Sequence, residues 1–197
     1  MTQNNIKIAI TGGICSGKST VAKIIKEQGY SISSCDEIYS ELLNDLDFVD
    51  LLDKEFGNVK NCDDTLDRAK LSEIVFRDSN KLKKLNAITH PKIMQRALDS
   101  MTGEGIFFCE VPLLFEGGIE RLFDNVIVVL RKRDERLMEL IKRNKISENQ
   151  ALLRINSQFD YDNGNFTKYY VIHNDYNLVK LREDTIGLLR KIEKDYI

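Results

Sequence analysis

The sequence predicts an α/β protein of three layers, a mainly parallel sheet covered on both faces by helices, with a helical segment inserted between strands. Three observations predict it. Short apolar, β-branched runs (Ile6–Ile10, Ile106–Val111, Asn125–Leu130) alternate with stretches whose apolar residues recur at three- and four-residue steps. Those runs are apolar nearly throughout rather than alternating, as strands buried on both faces are. The long stretch from Asp36 to Met101 holds no good strand and reads as a separate helical cap.

Each element follows from local chemistry. Ile6 to Ile10 is a buried strand, and Ser19 to Gln28 carries Val21, Ala22, Ile24 and Ile25 on one helical face, closed by Gly29. Tyr30 to Cys35 reads as a second strand, weakened by its serines. Asp36 to Leu43 and Phe48 to Phe56 read as helices, the latter stopped by Gly57. After a polar loop, Asn58 to Thr65, helices are expected over Leu66 to Arg77 and Lys81 to Ile88. Pro91 then starts a further helix that runs to Met101, proline being favoured at a first helical position. Gly103 and Gly105 end it. Ile106 to Val111 is a strand stopped by Pro112, and Gly117-Gly118 make a break. Asn125 to Leu130 ("NVIVVL") is the clearest buried strand. Asp134 to Arg143 is an amphipathic helix, and Ser147 with Gln150 has capping-box spacing for a helix ending near Gln158. Tyr169 to Ile172 is a short last strand and Leu178 to Ile192 a last helix.

Composition narrows the function classes. The chain has 197 residues, 42% hydrophobic and 30% charged, which suits one domain with an insert. A net charge of −2 argues against a general nucleic-acid binder. Cys15, Cys35, Cys62 and Cys109 form no Cys-x-x-Cys pair, and His90 and His173 lie far apart, so a structural zinc site is not expected. Scattered cysteines read as free thiols of a reducing compartment. No apolar run approaches the roughly 18 residues of a membrane span, and the N-terminal "MTQNNIKIAI" lacks the layout of a secretion signal. A cytoplasmic protein is expected, without membrane or nucleic-acid partners.

The stretch "GGICSGKST" carries the first chemistry. Gly12-x-x-x-x-Gly17-Lys18-Ser19 matches the phosphate-binding P-loop and stands between a predicted strand and a predicted helix, the context the motif needs. A random chain of this length shows the pattern on the order of once in 100. The backbone N–H groups of Gly13, Ile14, Cys15, Ser16, Gly17, Lys18, Ser19 and Thr20 are candidates for cradling a nucleotide's phosphates, aided by the positive end of the helix. Lys18 is placed to reach the β- and γ-phosphates and the Ser19 hydroxyl to complete a Mg²⁺ shell. Cys15 is read as a small residue tolerated with negative φ; the competing reading is a reactive thiol with a lowered pKa.

Nucleotide binding leaves several classes open. No Asn-Lys-x-Asp guanine reader follows "NVIVVL", and "IFFCEVP" offers only Glu110 where motor ATPases usually show Asp-Glu. Size and insert favour a small-molecule kinase. Asp36, just past a strand, is a candidate to orient or deprotonate an acceptor hydroxyl, or else simply caps the next helix. Arg131, Lys132, Arg133, Arg136, Lys142, Arg143 and Lys145 make a basic neighbourhood, part of it on a solvated helix face.

Taken together the segments resemble the dephospho-CoA kinase family over nearly the whole chain. The resemblance rests on "TGGICSGKST", Asp36, Phe56-Gly57, Leu66/Arg68/Leu71, His90-Pro91, "VPLLFE" (Val111 to Glu116), Arg143/Ser147/Arg154/Gln158 and Val171/Ile172/Asn174. It implies ATP-dependent phosphorylation of the ribose 3′-hydroxyl of dephospho-CoA, with Mg²⁺, the last step of coenzyme A synthesis. It further implies a P-loop kinase core over about 1–35, 104–135 and 165–197, an acceptor-binding helical insert over about 36–103 and a helical lid over about 136–164. Asp36, Lys18 and Arg143 are the expected catalytic residues. Arg143, Arg154 and Asn174 join the loop in binding ATP; Thr11, Asp36, Arg68, His90, Leu113, Leu114 and Glu116 are expected at the acceptor. His90 is also read as capping or closing a turn, and the apolar Leu113 to Phe115 run as core. A monomer or weak oligomer is expected. The family's usual Asp-Ala-Asp is here Ser34-Cys35-Asp36, its Asp-Gly is Asp63-Asp64, and its last-strand Ala-Asp is Lys168-Tyr169. Another small-molecule kinase, such as a nucleoside monophosphate kinase, and a non-catalytic nucleotide-binding regulator are the competing readings.

Overall fold

The computed structural model describes residues 5–196, and the N-terminal Met1–Asn4 of the leader reading lies outside them. The chain divides into two compact units, 1–33 with 101–197, and 34–100.

The first unit is built on a five-stranded sheet. Its strands are β1 (Asn5–Thr11), β2 (Ser31–Ser34), β3 (Gly105–Glu110), β4 (Asn125–Leu130) and β5 (Tyr170–His173), in the order β2-β3-β1-β4-β5. β1 pairs in parallel with β3, Ile6 opposite Ile106 and Ile10 opposite Glu110, and with β4, Ile8 opposite Asn125 and Thr11 opposite Val128. β4 pairs in parallel with β5, Ile127 opposite Tyr170. Parallel neighbours cannot be joined by a tight turn; β1 returns to β2 through a helix and β4 to β5 through two. The crossover helices are α1 (Lys18–Glu27), α6 (Arg133–Asn144) and α7 (Glu148–Asn156), and α8 (Leu178–Tyr196) follows the last strand.

The continuous apolar runs now have their reason. Ile8, Ile10, Phe108, Ile127 and Val129 pack in one cluster with Val21, Ile24 and Ile25 of α1 and Leu181, Leu189 and Ile192 of α8. Ala9, Cys109 and Val128, the alternating positions, are also fully buried, so both sides of β1, β3 and β4 face apolar surroundings. A 3₁₀ turn, Glu120–Leu122, precedes β4 and has no counterpart in the expectations above. The capping box at Ser147 forms: Ser147 Oγ accepts from Gln150 N while Gln150 Oε1 accepts from Ser147 N.

The second unit consists of α2 (Cys35–Leu42), α3 (Leu46–Phe56), α4 (Arg68–Phe76) and α5 (Ser79–Asp99), with α5 packed against α2 and α4. Asp45, Asp67 and Asp78 cap the last three, each accepting from a backbone N–H of the first turn. Two expectations are corrected here. Leu66 is not helical; it bridges to Lys60, and α4 begins two residues later, behind its Asp67 cap. Pro91 does not start a helix but lies inside α5, which runs unbroken from Ser79 to Asp99. Proline there deprives the Ala87 carbonyl of its helical donor. Ala87 and Pro91 both face solvent, where water can take that carbonyl, while Leu85, Thr89, Met94 and Ala97 keep a buried stripe on both sides of the proline.

Candidate active site

β1 ends at the centre of the sheet, and the chain turns there into the phosphate loop. Gly12 has φ 152°, and a Cβ on it would fall 2.2 Å from the Val129 carbonyl oxygen, so the loop can begin only with glycine. Gly17, the N-cap of α1, has φ 99°, and a Cβ on it would fall 2.3 Å from Asn174 Nδ2. That amide donates to the Ser16 carbonyl at 2.9 Å and pins the loop to the residue after β5. Lys18 folds back along the loop: its Nζ donates to the carbonyls of Gly12 at 2.7 Å and Gly13 at 3.0 Å. Ser19 Oγ donates to Glu110 Oε1, at the end of β3, at 2.8 Å. Ser16 Oγ is buried with no hydrogen-bond partner among the described residues. A bent backbone at a helix N-terminus, a lysine over it and an orphaned buried hydroxyl together suit an anion.

Cys15 departs from its expected conformation. Its φ is 60°, in the left-handed region, not negative. Non-glycine residues there cost roughly 1–2 kcal/mol, a cost the loop bears where the chain curls most tightly. The thiol also departs from the reactive reading. Burial raises its pKa above the ordinary thiol value, outweighing the pull of Arg143, Lys18 and Arg131.

Gln158, named above only as part of the family pattern, and Tyr161 and Asp162, not singled out from sequence, meet the loop or its flanks. Ile14 N donates to Gln158 Oε1 at 2.6 Å, and Tyr161 Oη lies 3.2 Å from Thr11 Oγ1. Thr11 is fully buried, and burial pushes the Tyr161 phenol up to about 12. Tyr161 stacks with Phe166 and packs against Phe115 and Phe159. Arg136, read as part of a basic neighbourhood, is only 2% exposed; it donates to Asp162 Oδ1 at 2.6 Å and to the Arg131 carbonyl at 3.0 Å. Glu110 had one sequence signal, an acid closing an apolar strand. Tyr161 and Asp162 had none, because they lie in an irregular segment whose partners are distant in sequence.

The remaining predicted residues fall in different places. Arg143, in the last turn of α6, donates from Nε to Asn144 Oδ1 at 3.0 Å, and its charge acts on Cys15. Arg154 stands exposed on α7. Leu114 is fully buried, whereas Leu113 is 44% exposed. Glu116 accepts from Phe159 N at 2.9 Å.

In the helical unit, Asp36 is the second residue of α2 and exposed; it is not the cap, since Ser34 Oγ accepts from Glu37 N. The residue replacing the family's first aspartate thus has a structural role of its own. Arg68 opens α4 and donates to Asn44 Oδ1 at 3.2 Å. His90 lies within α5 and neither caps nor closes a turn; desolvation lowers its imidazole pKa.

Ser19 Oγ and the Glu110 carboxylate are oxygen donors side by side, the chemistry a hard divalent cation takes. Among the described residues no cluster of three or more His, Cys, Asp or Glu could hold a metal by itself, so a cation here would need phosphate oxygens and water as further ligands. No described helix is long and apolar enough to cross a membrane.

The family model for dephospho-CoA kinase matches residues 6–180. A dephospho-CoA kinase of Listeria monocytogenes is 33% identical over 195 residues, covering 95% of this chain and 98% of its own. Among solved structures, a Thermus thermophilus protein aligns with TM-score 0.79 at 28% identity over 98% of both chains. The dephospho-CoA kinase of Campylobacter jejuni aligns with TM-score 0.72 at 28% identity, over 97% of this chain and 98% of its own.

Proposed function

The chain belongs to the dephospho-CoA kinase family, and on that premise we propose how its residues transfer a phosphoryl group from ATP to the ribose 3′-hydroxyl of dephospho-CoA. The observation that carries the donor side is the pair of contacts at the loop's two ends, Lys18 Nζ on the Gly12 and Gly13 carbonyls and Ser19 Oγ on Glu110. Phosphoryl transfer asks mainly for positioning and charge neutralisation. Of the amides from Gly13 to Thr20, those of Ile14, Ser16 and Thr20 donate to Gln158 Oε1 and to the Gly13 and Gly17 carbonyls; the others of the run receive the phosphate chain, and the Lys18 ammonium moves from its carbonyls onto the outer phosphates. Ser19, with Glu110 beside it, would hold a Mg²⁺ ion arriving with ATP, which would supply further neutralisation.

Arg143 and Arg154 belong to the proposed lid, residues 136–164, which adds positive charge and excludes water on closing. What supports Arg143 is its electrostatic reach to Cys15 in the loop. Asn174 acts by pinning Ser16. Asp36 orients and deprotonates the acceptor hydroxyl, supported by its exposed, uncapping position on α2. Arg68 and His90 bind the acceptor, with Leu113 and Glu116 at its edge; Leu114 acts only through packing, being fully buried. The scattered cysteines, no two at a Cys-x-x-Cys spacing, support a reducing, cytoplasmic setting, and a monomer or weak oligomer completes the proposal.

The test is ADP release with dephospho-CoA, AMP, shikimate or a nucleoside as acceptor. Turnover with dephospho-CoA alone is expected; phosphorylation of only a nucleoside monophosphate would overturn the acceptor, and ATP binding without any turnover would favour a regulator. Asp36→Asn is expected to retain nucleotide binding and lose at least ~100-fold in turnover. Unchanged turnover removes Asp36 from the mechanism.

A further inference from the structure

The peptide group joining Gly13 to Ile14 is held from both ends. Its carbonyl accepts from Lys18 Nζ at 3.0 Å, and its N–H donates to Gln158 Oε1 at 2.6 Å. Because the Ile14 N–H is a donor, the carboxamide must turn its oxygen to it and its NH₂ the other way. Glycine on one side makes this peptide easy to rotate. A rotated peptide would withdraw the carbonyl from Lys18 and offer the ammonium an N–H instead.

The neighbouring contacts do not do this work. Tyr161 bonds to Thr11, before the loop, and Asp162 holds Arg136, whose guanidinium lies against Gly13 where a Cβ would come within 2.5 Å of it. Arg131 reaches the Cys15 carbonyl at 3.4 Å, beyond it. These fix the flanks; within the loop the Ser16 N–H also donates to the Gly13 carbonyl, at 3.1 Å, so Ser16 holds the carbonyl end of the peptide and Gln158 its N–H end.

The position also says which end of the nucleotide is concerned. The loop lysine reaches the β- and γ-phosphates, and here its ammonium rests on the carbonyls of Gly12 and Gly13. The group bonded to the next N–H therefore stands at the outer-phosphate end. We propose that Gln158 is a positioning residue for phosphoryl transfer: it sets the Gly13–Ile14 peptide so that Lys18 is parked for the γ-phosphate, and it borders that phosphate itself. The proposal rests on the loop's reading as an ATP site.

Two variants test it, with ATP and ADP affinities measured by calorimetry and kcat and KM by ADP release. Gln158→Glu keeps an oxygen acceptor for the Ile14 N–H but replaces the NH₂ with a negative oxygen. It is expected to weaken ATP binding by about 10-fold or more while leaving ADP, which lacks the γ-phosphate, within about 3-fold. Gln158→Ala releases the N–H end of the peptide, leaving only the Ser16 N–H and Lys18 on its carbonyl, and is expected to lower kcat by about 10-fold with ADP affinity little changed. Equal losses for ATP and ADP in the Glu variant, or no loss for either, overturn the proposal, as does an Ala variant with unchanged kcat. Should the Ala variant fail to fold, the Glu variant decides alone. Wild-type protein that binds neither nucleotide sinks the phosphate-site reading, and this inference with it.

Discussion

Replacing Gly17 by alanine puts two separable costs on one position. The first is conformational: at φ 99° a Cβ meets its own backbone, a strain of roughly 1–2 kcal/mol. The second is a lost contact. The new Cβ would lie 2.3 Å from Asn174 Nδ2, so Asn174 must retreat and give up its 2.9 Å bond to the Ser16 carbonyl. A neutral hydrogen bond of that kind contributes about 1 kcal/mol. Gly17→Ala is therefore expected to destabilise by about 2–3 kcal/mol, and Asn174→Ala by about 1 kcal/mol. In the double variant Asn174 has nothing left to lose. It should be no less stable than Gly17→Ala alone, giving a coupling of about 1 kcal/mol rather than additivity. Urea unfolding of the four proteins measures all three quantities. A double variant whose losses simply add, or a Gly17→Ala protein within about 0.5 kcal/mol of wild type, would refute the argument that the loop and the residue after β5 are held by this contact.

Cys15→Gly is expected to hold or raise stability by up to about 1 kcal/mol, since the left-handed strain it relieves exceeds the entropy glycine adds to the unfolded chain; ATP affinity should stay within about 3-fold, and a large loss would show that the side chain matters. The raised Cys15 pKa leaves less thiolate at neutral pH, so iodoacetamide should label exposed Cys62 faster. Tyr161→Phe keeps the ring among Phe115, Phe159 and Phe166 but removes its bond to Thr11. A loss of about 1 kcal/mol with the aromatic cluster intact by near-UV dichroism is expected; no change would mean that the hydroxyl contact is idle. His90 is held below its ordinary value of 6.5, so the folded protein binds that proton less readily than the unfolded chain. Its contribution to stability is present above pH 6.5 and lost as pH falls through that value toward the lower folded pKa. Thermal unfolding from pH 7.5 down to 5 should show this component in wild type and not in His90→Gln.

Much of the phosphate loop's shape was legible in the chain. The motif Gly12 to Ser19 needs only local backbone freedom, a lysine and a hydroxyl at fixed spacing, and such short-range requirements are written in consecutive residues. The buried strands were equally plain, because burial on both faces leaves no polar position to confuse the period. Pro91 misled for a local reason: proline is favoured at a helix start, and only the exposure of Ala87 and Pro91 lets the helix pass through it. Arg136 misled likewise, since a charge run looks solvated until Asp162, 26 residues on, arrives to pair with it.

A resemblance could assign Asp36, but whether it capped α2 depended on which neighbour reached Glu37 N, and that proved to be Ser34. Consecutive residues thus determine the loop, the strands and the family, since local geometry and apolar period need no distant partner. Folding alone decided what holds the loop in shape. Gln158, Tyr161 and Asn174 lie 144, 150 and 158 residues from their partners, and hydrogen bonds across such separations exist only once the sheet has brought the ends of β1, β4 and β5 together.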